Sequence, residues 1–319
     1  MELFRVTKPG LFTTVQDLGR WGYQRLGVPI SGAMDEYAFG AANLLVGNQL
    51  SDACLEITLI GPELEALHEA QIAVAGAGFP LTINGNLVSM WQTINIEKGD
   101  LITFAGSAQS GCRAYLAVKG GIDVPLVLGS KSTYARGGFG GNKGRALKTG
   151  DLIRGLALEK SVKTKRIVPP KLVPCYDGEF SVDVVLGPQE DMFTVEGVET
   201  FLSSPYTVTP ESDRMGYRLT GTPIQRKSTA ELVTEALVKG SVQVPSNGQP
   251  IILMADAQTS GGYPKIATVC TPGASRLAQA KPNDKVHFNK ISLSQAHTQY
   301  VEYKERLHQL ENRLVEQAF

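Results

Sequence analysis

Residues 71–91 read QIAVAGAGFPLTINGNLVSMW, and this stretch decides the fold class. An apolar run, Gln71–Ala77, is followed by Leu81–Ile83, the pair Asn84-Gly85 and a second run, Leu87–Trp91. Asn-Gly between two short β-prone runs signals a tight hairpin, because both residues tolerate the positive φ that such a turn demands. The same alternation of short runs and turns recurs outward in both directions. It predicts strands at Leu101–Phe104, Arg113–Val118, Ser181–Leu186, Ser241–Val244, Ile251–Met254, Lys265–Val269 and Lys285–Phe288. Many of the 34 glycines bound these runs, so the chain reads as mainly β with few helices. Short strands parted by turns suit closed or partly closed barrels, which leave no exposed sheet edge.

Two segments break this pattern and read as helices. Ala33–Leu45 is preceded by Ser31-Gly32 and followed by Gly47-Asn48, with Ser31 as the expected N-cap and Asp35 in the first turn. From about Ser294 onward, Tyr303, Leu307, Leu310 and Leu314 follow 4-3-4 spacing, the stripe of a helix with one buried face. That face would pack on the chain's own barrel or, in a longer heptad run, form a dimer seam.

Between Arg154 and Pro174 the hydrophobic alternation stops. The stretch carries Lys160, Lys163, Lys165, Arg166 and Lys171 and includes Pro169-Pro170, which places a domain boundary there. The expected domains are residues 1–165 and 175–319, two β-barrels, the second with the C-terminal helix. A possible duplication supports the division. Arg20-x-Gly22-Tyr23-x3-Gly27-x-Pro29-Ile30 recurs as Arg214-x-Gly216-Tyr217-x3-Gly221-x-Pro223-Ile224, from residue 20 to residue 214, an offset of 194.

Composition narrows the function classes. Lysine plus arginine equal aspartate plus glutamate at 31 each, so no global positive field draws in nucleic acid. No window approaches the roughly 20 apolar residues of a membrane span, and the N-terminus lacks a leader-like apolar run, so a soluble, cytoplasmic protein is expected. Four cysteines lie far apart without CxxC spacing and four histidines without HExxH, so buried free thiols and no metal site are expected.

Four segments concentrate polar chemistry. In Thr14–Ala38, Asp17 and Arg20 would pair, either to fix a turn or to present a guanidinium for bidentate recognition of a carboxylate or phosphate. In Gly129–Asp151, Arg136, Lys143 and Arg145 surround Gly137-Gly138-Phe139-Gly140-Gly141. Gly138, Gly140 and Gly141 with Lys143 and Arg145 would form an anion-binding loop, the alternative being a surface hairpin. It is not a Walker A loop, because Lys143 lies between Asn142 and Gly144. In Ser212–Gly221, Asp213, Arg214 and Tyr217 repeat the first pattern. In Ser241–Val269, the apolar strand ends in Asp256-Ala257-Gln258-Thr259-Ser260 before Gly261-Gly262-Tyr263, a layout shared by polar pockets and capped turns. Asp256, at the end of an apolar strand, is a candidate proton carrier, since burial favours the neutral acid.

These stretches, TVQDLGRWGYQRLGVPISGAMDEYAFGAANLLVGN, STYARGGFGGNKGRAL, SDRMGYRLTG and DAQTSGGYPKIA, resemble the allophanate hydrolase subunit 2 family of carboxyltransferase-like proteins. Its members include 5-oxoprolinase C subunits, Kip antagonist proteins and the second half of the urea carboxylase carboxyltransferase domain. The likeness runs from about residue 3 to residue 290. It implies tandem cyclophilin-like β-barrels, a partner like the oxoprolinase B subunit (Kip inhibitor-like) and a further protein like the A subunit. It also implies ATP-dependent opening of 5-oxoproline to glutamate by the assembled complex. On that reading Arg20 and Arg214 would be catalytic with Asp256 as acid/base, while Arg136, Tyr217, Gln258, Thr259 and Tyr263 would bind substrate. Two departures fall at Thr234-Glu235-Ala236, where relatives usually read Ser-Glu-Pro, and at Val244-Pro245-Ser246, where they often read Val-Pro-Pro. No biotinyl Met-Lys-Met motif occurs, so a carboxyltransferase would take biotin from another chain. A regulator that binds a sensor-kinase inhibitor is the non-enzymatic alternative.

Overall fold

The computed structural model describes residues 1–156, 165–228 and 232–317. Lys160 and Lys163 of the expected linker lie outside the described residues. By contact density the chain divides into two units: Met1–Arg20, Ser31–Tyr176 and Arg306–Phe319 form the first, and Trp21–Ile30 with Asp177–Glu305 form the second. The small segment Trp21–Ile30 thus clusters apart from the sequence on either side of it.

The first unit holds eleven strands among its described residues. They are β1 (Glu2–Lys8), β2 (Phe12–Gln16), β3 (Cys54–Thr58), β4 (Glu63–Ala66), β5 (Ala70–Gly78) and β6 (Leu81–Ile83). β7 (Asn86–Leu87), β8 (Thr93–Ile96), β9 (Leu101–Phe104), β10 (Ser110–Val118) and β11 (Leu152–Arg154) complete the set. They form a six-stranded sheet, β11-β1-β4-β9-β6-β7, and a five-stranded sheet, β2-β3-β10-β5-β8. Phe4, Val6, Leu64, Ile102 and Phe104 from the first sheet and Ile72, Val74, Leu116 and Val118 from the second share one core. The unit is therefore two packed sheets, and the tandem-barrel expectation is met in closed form only in the second unit.

Helix α1 (Glu36–Val46) contacts β5 and β10, and the Phe39 ring meets Tyr115 edge-on at 5.9 Å. β5 and β10 are thus covered on both faces, which explains why Gln71–Ala77 is apolar without alternation. Asp35, not Ser31, caps α1. Its Oδ1 accepts from the amides of Tyr37 and Ala38 at 3.1 and 3.2 Å, whereas Ser31 has φ +57° in the preceding loop. Between β6 and β7, Asn84 and Gly85 have φ of +52° and +80°, the predicted two-residue hairpin. The second run pairs only at Asn86–Leu87, because the chain leaves the sheet and Trp91 turns left-handed at φ +59°.

The second unit contains β12 (Glu179–Leu186), β13 (Tyr206–Val208), β14 (Gly216–Thr220), β15 (Glu235–Ala236) and β16 (Ser241–Gln243). β17 (Ile251–Leu253), β18 (Ser260–Gly261), β19 (Lys265–Val269) and β20 (Lys285–Lys290) follow. Seven of them close a barrel in the order β12-β19-β16-β17-β14-β13-β20, with β12 and β20 as its parallel pair. β15 and β18 form a separate two-stranded ribbon. Helix α2 (Val195–Ser203) stacks Phe201 on Phe288 at 4.3 Å, and α3 (Thr271–Leu277) packs against β12. Helix α4 (Leu293–Glu316) buries Leu307, Leu310 and Leu314 within the single chain, and Tyr303 donates to Ser275 at 3.2 Å. No helix is long and apolar enough to cross a membrane.

The repeated Arg-x-Gly-Tyr letters do not repeat a structure. Gly216-Tyr217 lie in β14 against Ile252 and Leu253, whereas Gly22 has φ +91° and Tyr23 starts a 3-10 turn, Gln24–Leu26. The same letters serve a strand in one place and a bend in the other, because sheet pairing is available only to the second copy.

Candidate functional site

β2 delivers Asp17, and the segment 130–132 folds around its carboxylate. Oδ1 accepts from the Ser130 hydroxyl at 2.7 Å, the Gly19 amide at 2.8 Å and the Ser132 hydroxyl, while Oδ2 accepts from the Lys131 amide. Arg20 is 1% exposed, donates through Nη2 to the Ser132 carbonyl and lies 5.0 Å from the centre of the Phe139 ring. The expected Asp17 and Arg20 couple therefore meets at Ser132, where both fix the foot of the glycine-rich loop. A buried guanidinium in this place positions the loop.

The loop itself is tightly self-bonded. The amides of Gly138 and Phe139 donate to the Tyr134 carbonyl, Gly141 to Lys131 and Gly144 to Gly140. The amides of Gly138 and Gly141, two of the three glycines expected in the anion cradle, are therefore committed within the loop. Gly140 and Gly141 are glycines for packing: a Cβ at Gly140 would overlap the Ser132 carbonyl oxygen, and one at Gly141 the Thr133 hydroxyl. Arg145 is likewise engaged, donating to Asp151 at 2.7 and 2.8 Å. That fork, followed by the Lys148 amide, holds the Asp151 carboxyl below the usual carboxylate range against the opposing effect of burial.

Beside the loop lies a cleft of about 890 Å³, lined by residues 138–144 together with Asp123, Asp151 and Arg154, among others. Exposed Lys143, at φ +62°, lines it, and so does Asn142, whose Nδ2 is shut from solvent without a hydrogen-bond partner. Arg136 is exposed and is not among the lining residues. Of the anion-binding cations read from the sequence, Lys143 is the one that both lines the cleft and stays outside a salt bridge among the described residues.

In the second unit Arg214 and Asp256 form a buried fork, Nε to Oδ2 at 2.8 Å and Nη2 to Oδ1 at 3.1 Å, with side chains 6% and 8% exposed. Both carboxylate oxygens are occupied by cationic donors, so the pair acts as a fixed element rather than an open acid. Tyr217 is buried and its hydroxyl donates to the carbonyls of Ala278 and Ala280 at 3.2 and 3.1 Å, which turns it away from substrate binding. Gln258 and Tyr263 are exposed, and the carbonyl of half-buried Thr259 accepts from the Leu237 amide.

Sequence reading missed a cluster next to these residues. Lys265 is 5% exposed and its Nζ lies 2.8 Å from Glu235 Oε2, which also accepts from Gln189 Nε2 at 2.8 Å. The Lys265 amide donates to Gln189 Oε1, and Gln243 Nε2 donates to the Tyr263 carbonyl at 3.4 Å. Donation from Lys265 holds the Glu235 carboxyl below its usual range. The available signal was a lysine heading the apolar strand KIATV, where a solvent-facing cation is out of pattern. A second missed network lies in the first unit. Glu56, fully buried, accepts from Tyr115 and from the Met34 amide, both at 2.9 Å, while Arg113 stands 3.7 Å away. Burial, then the Glu56 charge, push the Tyr115 phenol well above its ordinary range. Of the cysteines, Cys54 and Cys112 are buried, Cys270 is partly buried and Cys175 is exposed, so the expectation of buried thiols fails at Cys175. Among the described residues no group of three or more His, Cys, Asp or Glu could hold a metal ion.

The chain thus combines a two-sheet unit with a closed seven-stranded barrel unit. Residues 26–290 match the carboxyltransferase domain, subdomain A and B, and the chain belongs to that family. The chain is 38% identical over 294 residues to the C subunit of 5-oxoprolinase from Escherichia coli (strain K12), covering 92% of this chain and 93% of that protein. It is 36% identical over 312 residues to urea amidolyase of Lachancea kluyveri, covering 91% of this chain but 17% of that one. The crystal structure of the K. lactis urea amidolyase superposes with a TM-score of 0.91 at 32% identity, covering 97% of this chain and 20% of that chain. The chain thus spans about a fifth of the amidolyases it resembles.

Proposed function

We propose that this chain is the C subunit of an ATP-dependent 5-oxoprolinase, converting 5-oxoproline, ATP and water to L-glutamate, ADP and phosphate together with an A-like and a B-like protein. The observation that carries this reading is the near end-to-end likeness to the E. coli protein, 92% of one chain against 93% of the other. An unstrained lactam is a poor electrophile, so its carbonyl oxygen must be stabilised as charge develops. ATP, when bound by the assembled complex, supplies the activation. The residues offered for binding and orientation are the exposed Gln258 and Tyr263 beside Lys265 in the second unit. The Arg214–Asp256 fork fixes the backbone from which Gln258 projects.

The test is reconstitution with purified A-like and B-like partners, following 5-oxoproline-dependent ADP release and glutamate formation. Activity that requires all three chains, with no ATP hydrolysis by this chain alone, is the expected result. No glutamate from the full set, under conditions where the partners bind, refutes the reading. The TM-score of 0.91 to the K. lactis amidolyase favours a second reading, the carboxyltransferase half of a urea or amide carboxylase with biotin on another chain. Carboxylation of urea from a carboxybiotinyl carrier, dependent on this chain, would establish it.

A further inference from the structure

Lys265 and Glu235 are an unequal pair. The lysine side chain is 6% exposed and the glutamate side chain 47%. By contrast both members of the Arg214–Asp256 fork are below 10%, at 6% and 8%. A buried ammonium needs a counter-charge and hydrogen bonds to replace its lost water. Among the described residues Glu235 supplies that counter-charge, from the two-residue strand β15, whose sheet partner is the equally short β18. Two donors, the Lys265 ammonium and the Gln189 amide, converge on one Glu235 oxygen, each at 2.8 Å. Convergent ammonium and amide donors recognise a carboxylate oxygen whatever molecule carries it.

We propose that Lys265 and Gln189 form a carboxylate-binding subsite whose internal occupant, Glu235, exchanges with the carboxylate of a small-molecule acid. Exchange keeps the buried ammonium neutralised throughout and displaces a side chain carried on a two-residue strand, paired with β18 at Glu235↔Gly261 and Ala236↔Ser260. Gln258 and Tyr263, exposed on the neighbouring segment, would then face the rest of the ligand. For the identity of the physiological acid this rests on the 5-oxoprolinase reading: 5-oxoproline carries a single ring carboxylate, and holding it here leaves the lactam free for reaction.

The experiment uses the isotope-labelled full chain. Amide NMR follows the Lys265 backbone and Gln189 side-chain signals during separate titrations with acetate and with its neutral isostere acetamide, ionic strength held constant with chloride. Acetate should give a saturable shift and acetamide none. Glu235→Gln removes the internal competitor and should lower the half-saturating acetate concentration about fivefold, because a site blocked part of the time binds with reduced apparent affinity. Lys265→Met should abolish saturation. Absence of a saturable acetate shift in both wild type and Glu235→Gln, an equal response to acetamide, or weaker acetate binding by Glu235→Gln each overturns the subsite, and none of these depends on the Lys265 variant folding. The two readings fail separately. An active reconstituted complex without an acetate site sinks the subsite alone, and an acetate site without glutamate formation sinks the 5-oxoproline reading alone.

Discussion

The amide of Asp256 donates to the carbonyl of Arg214 at 2.8 Å, and the Arg214 guanidinium returns two bonds to the Asp256 carboxylate, at 2.8 and 3.1 Å. Main chain and side chain thus tie the segment before β14 to the segment after β17 at one point. The geometry changes what a substitution at Asp256 should do.

Asp256→Asn leaves a buried guanidinium without its counter-charge, at a cost of about 3 kcal/mol, the lower end of the range for breaking a buried ion pair, since the amide keeps some hydrogen bonding. The melting temperature should fall by about 4–5 °C, because the unfolding entropy grows with chain length and this chain has 319 residues. Glutamate formation per folded complex should change less than tenfold. A loss of a hundredfold or more in the folded complex, about the effect of removing a general acid or base, would restore Asp256 to a chemical role.

Gly138 and Gly140 both have left-handed φ, +71° and +72°, yet their surroundings differ. A Cβ at Gly138 meets nothing within 4 Å, whereas one at Gly140 strikes the Ser132 carbonyl oxygen and stands 2.8 Å from Arg20 Nη2. Gly138→Ala should cost about 1 kcal/mol, the backbone penalty alone. Gly140→Ala should cost several times as much, read by urea unfolding. Equal costs would mean that Arg20 and Ser132 do not brace the loop.

Arg145 holds the Asp151 carboxyl below its unfolded range, so this group's stabilisation is complete above the unfolded aspartate pKa of about 3.9 and is lost as pH falls through the lower folded value. Asp151→Asn should therefore remove part of the stability at neutral pH and flatten its decline below about pH 4. Urea unfolding of both proteins across the acid range measures this. An unchanged acid slope in the variant would contradict the linkage.

Leu310 is fully buried on α4 within the single chain. Leu310→Ala should cost about 2–5 kcal/mol, the usual penalty of a core truncation. The melting temperature of wild type and variant should not depend on protein concentration. A concentration-dependent transition, shifted by the variant, would instead assign the stripe to a dimer seam.

Much of the fold is local and was legible in the chain. Asn84-Gly85 specifies its hairpin because the two residues that must take positive φ are neighbours. The C-terminal stripe specifies α4 because the helical period is written in residues three and four apart. β14 was legible only in part. Tyr217 and Leu219 alternate inward as a strand requires, but the charges and glycines of SDRMGYRLTG resemble those of a turn.

The side-chain partnerships depended on tertiary structure. Asp17 reaches Ser130 and Ser132 across 113 and 115 residues, Arg214 reaches Asp256 across 42, and Lys265 reaches Glu235 across 30. Which polar groups meet at such distances is fixed by strand order and register, and a shift of one residue would turn every side chain to the opposite face. The sequence by itself determined that this protein would be strand-rich, where its hairpin and two of its helices would form, and which families it resembles. Only the packed sheets and the barrel decided that Arg20 and Asp256 would be braces and that a buried lysine would stand behind an exposed glutamate, because desolvation and pairing exist only once distant segments have closed over one another.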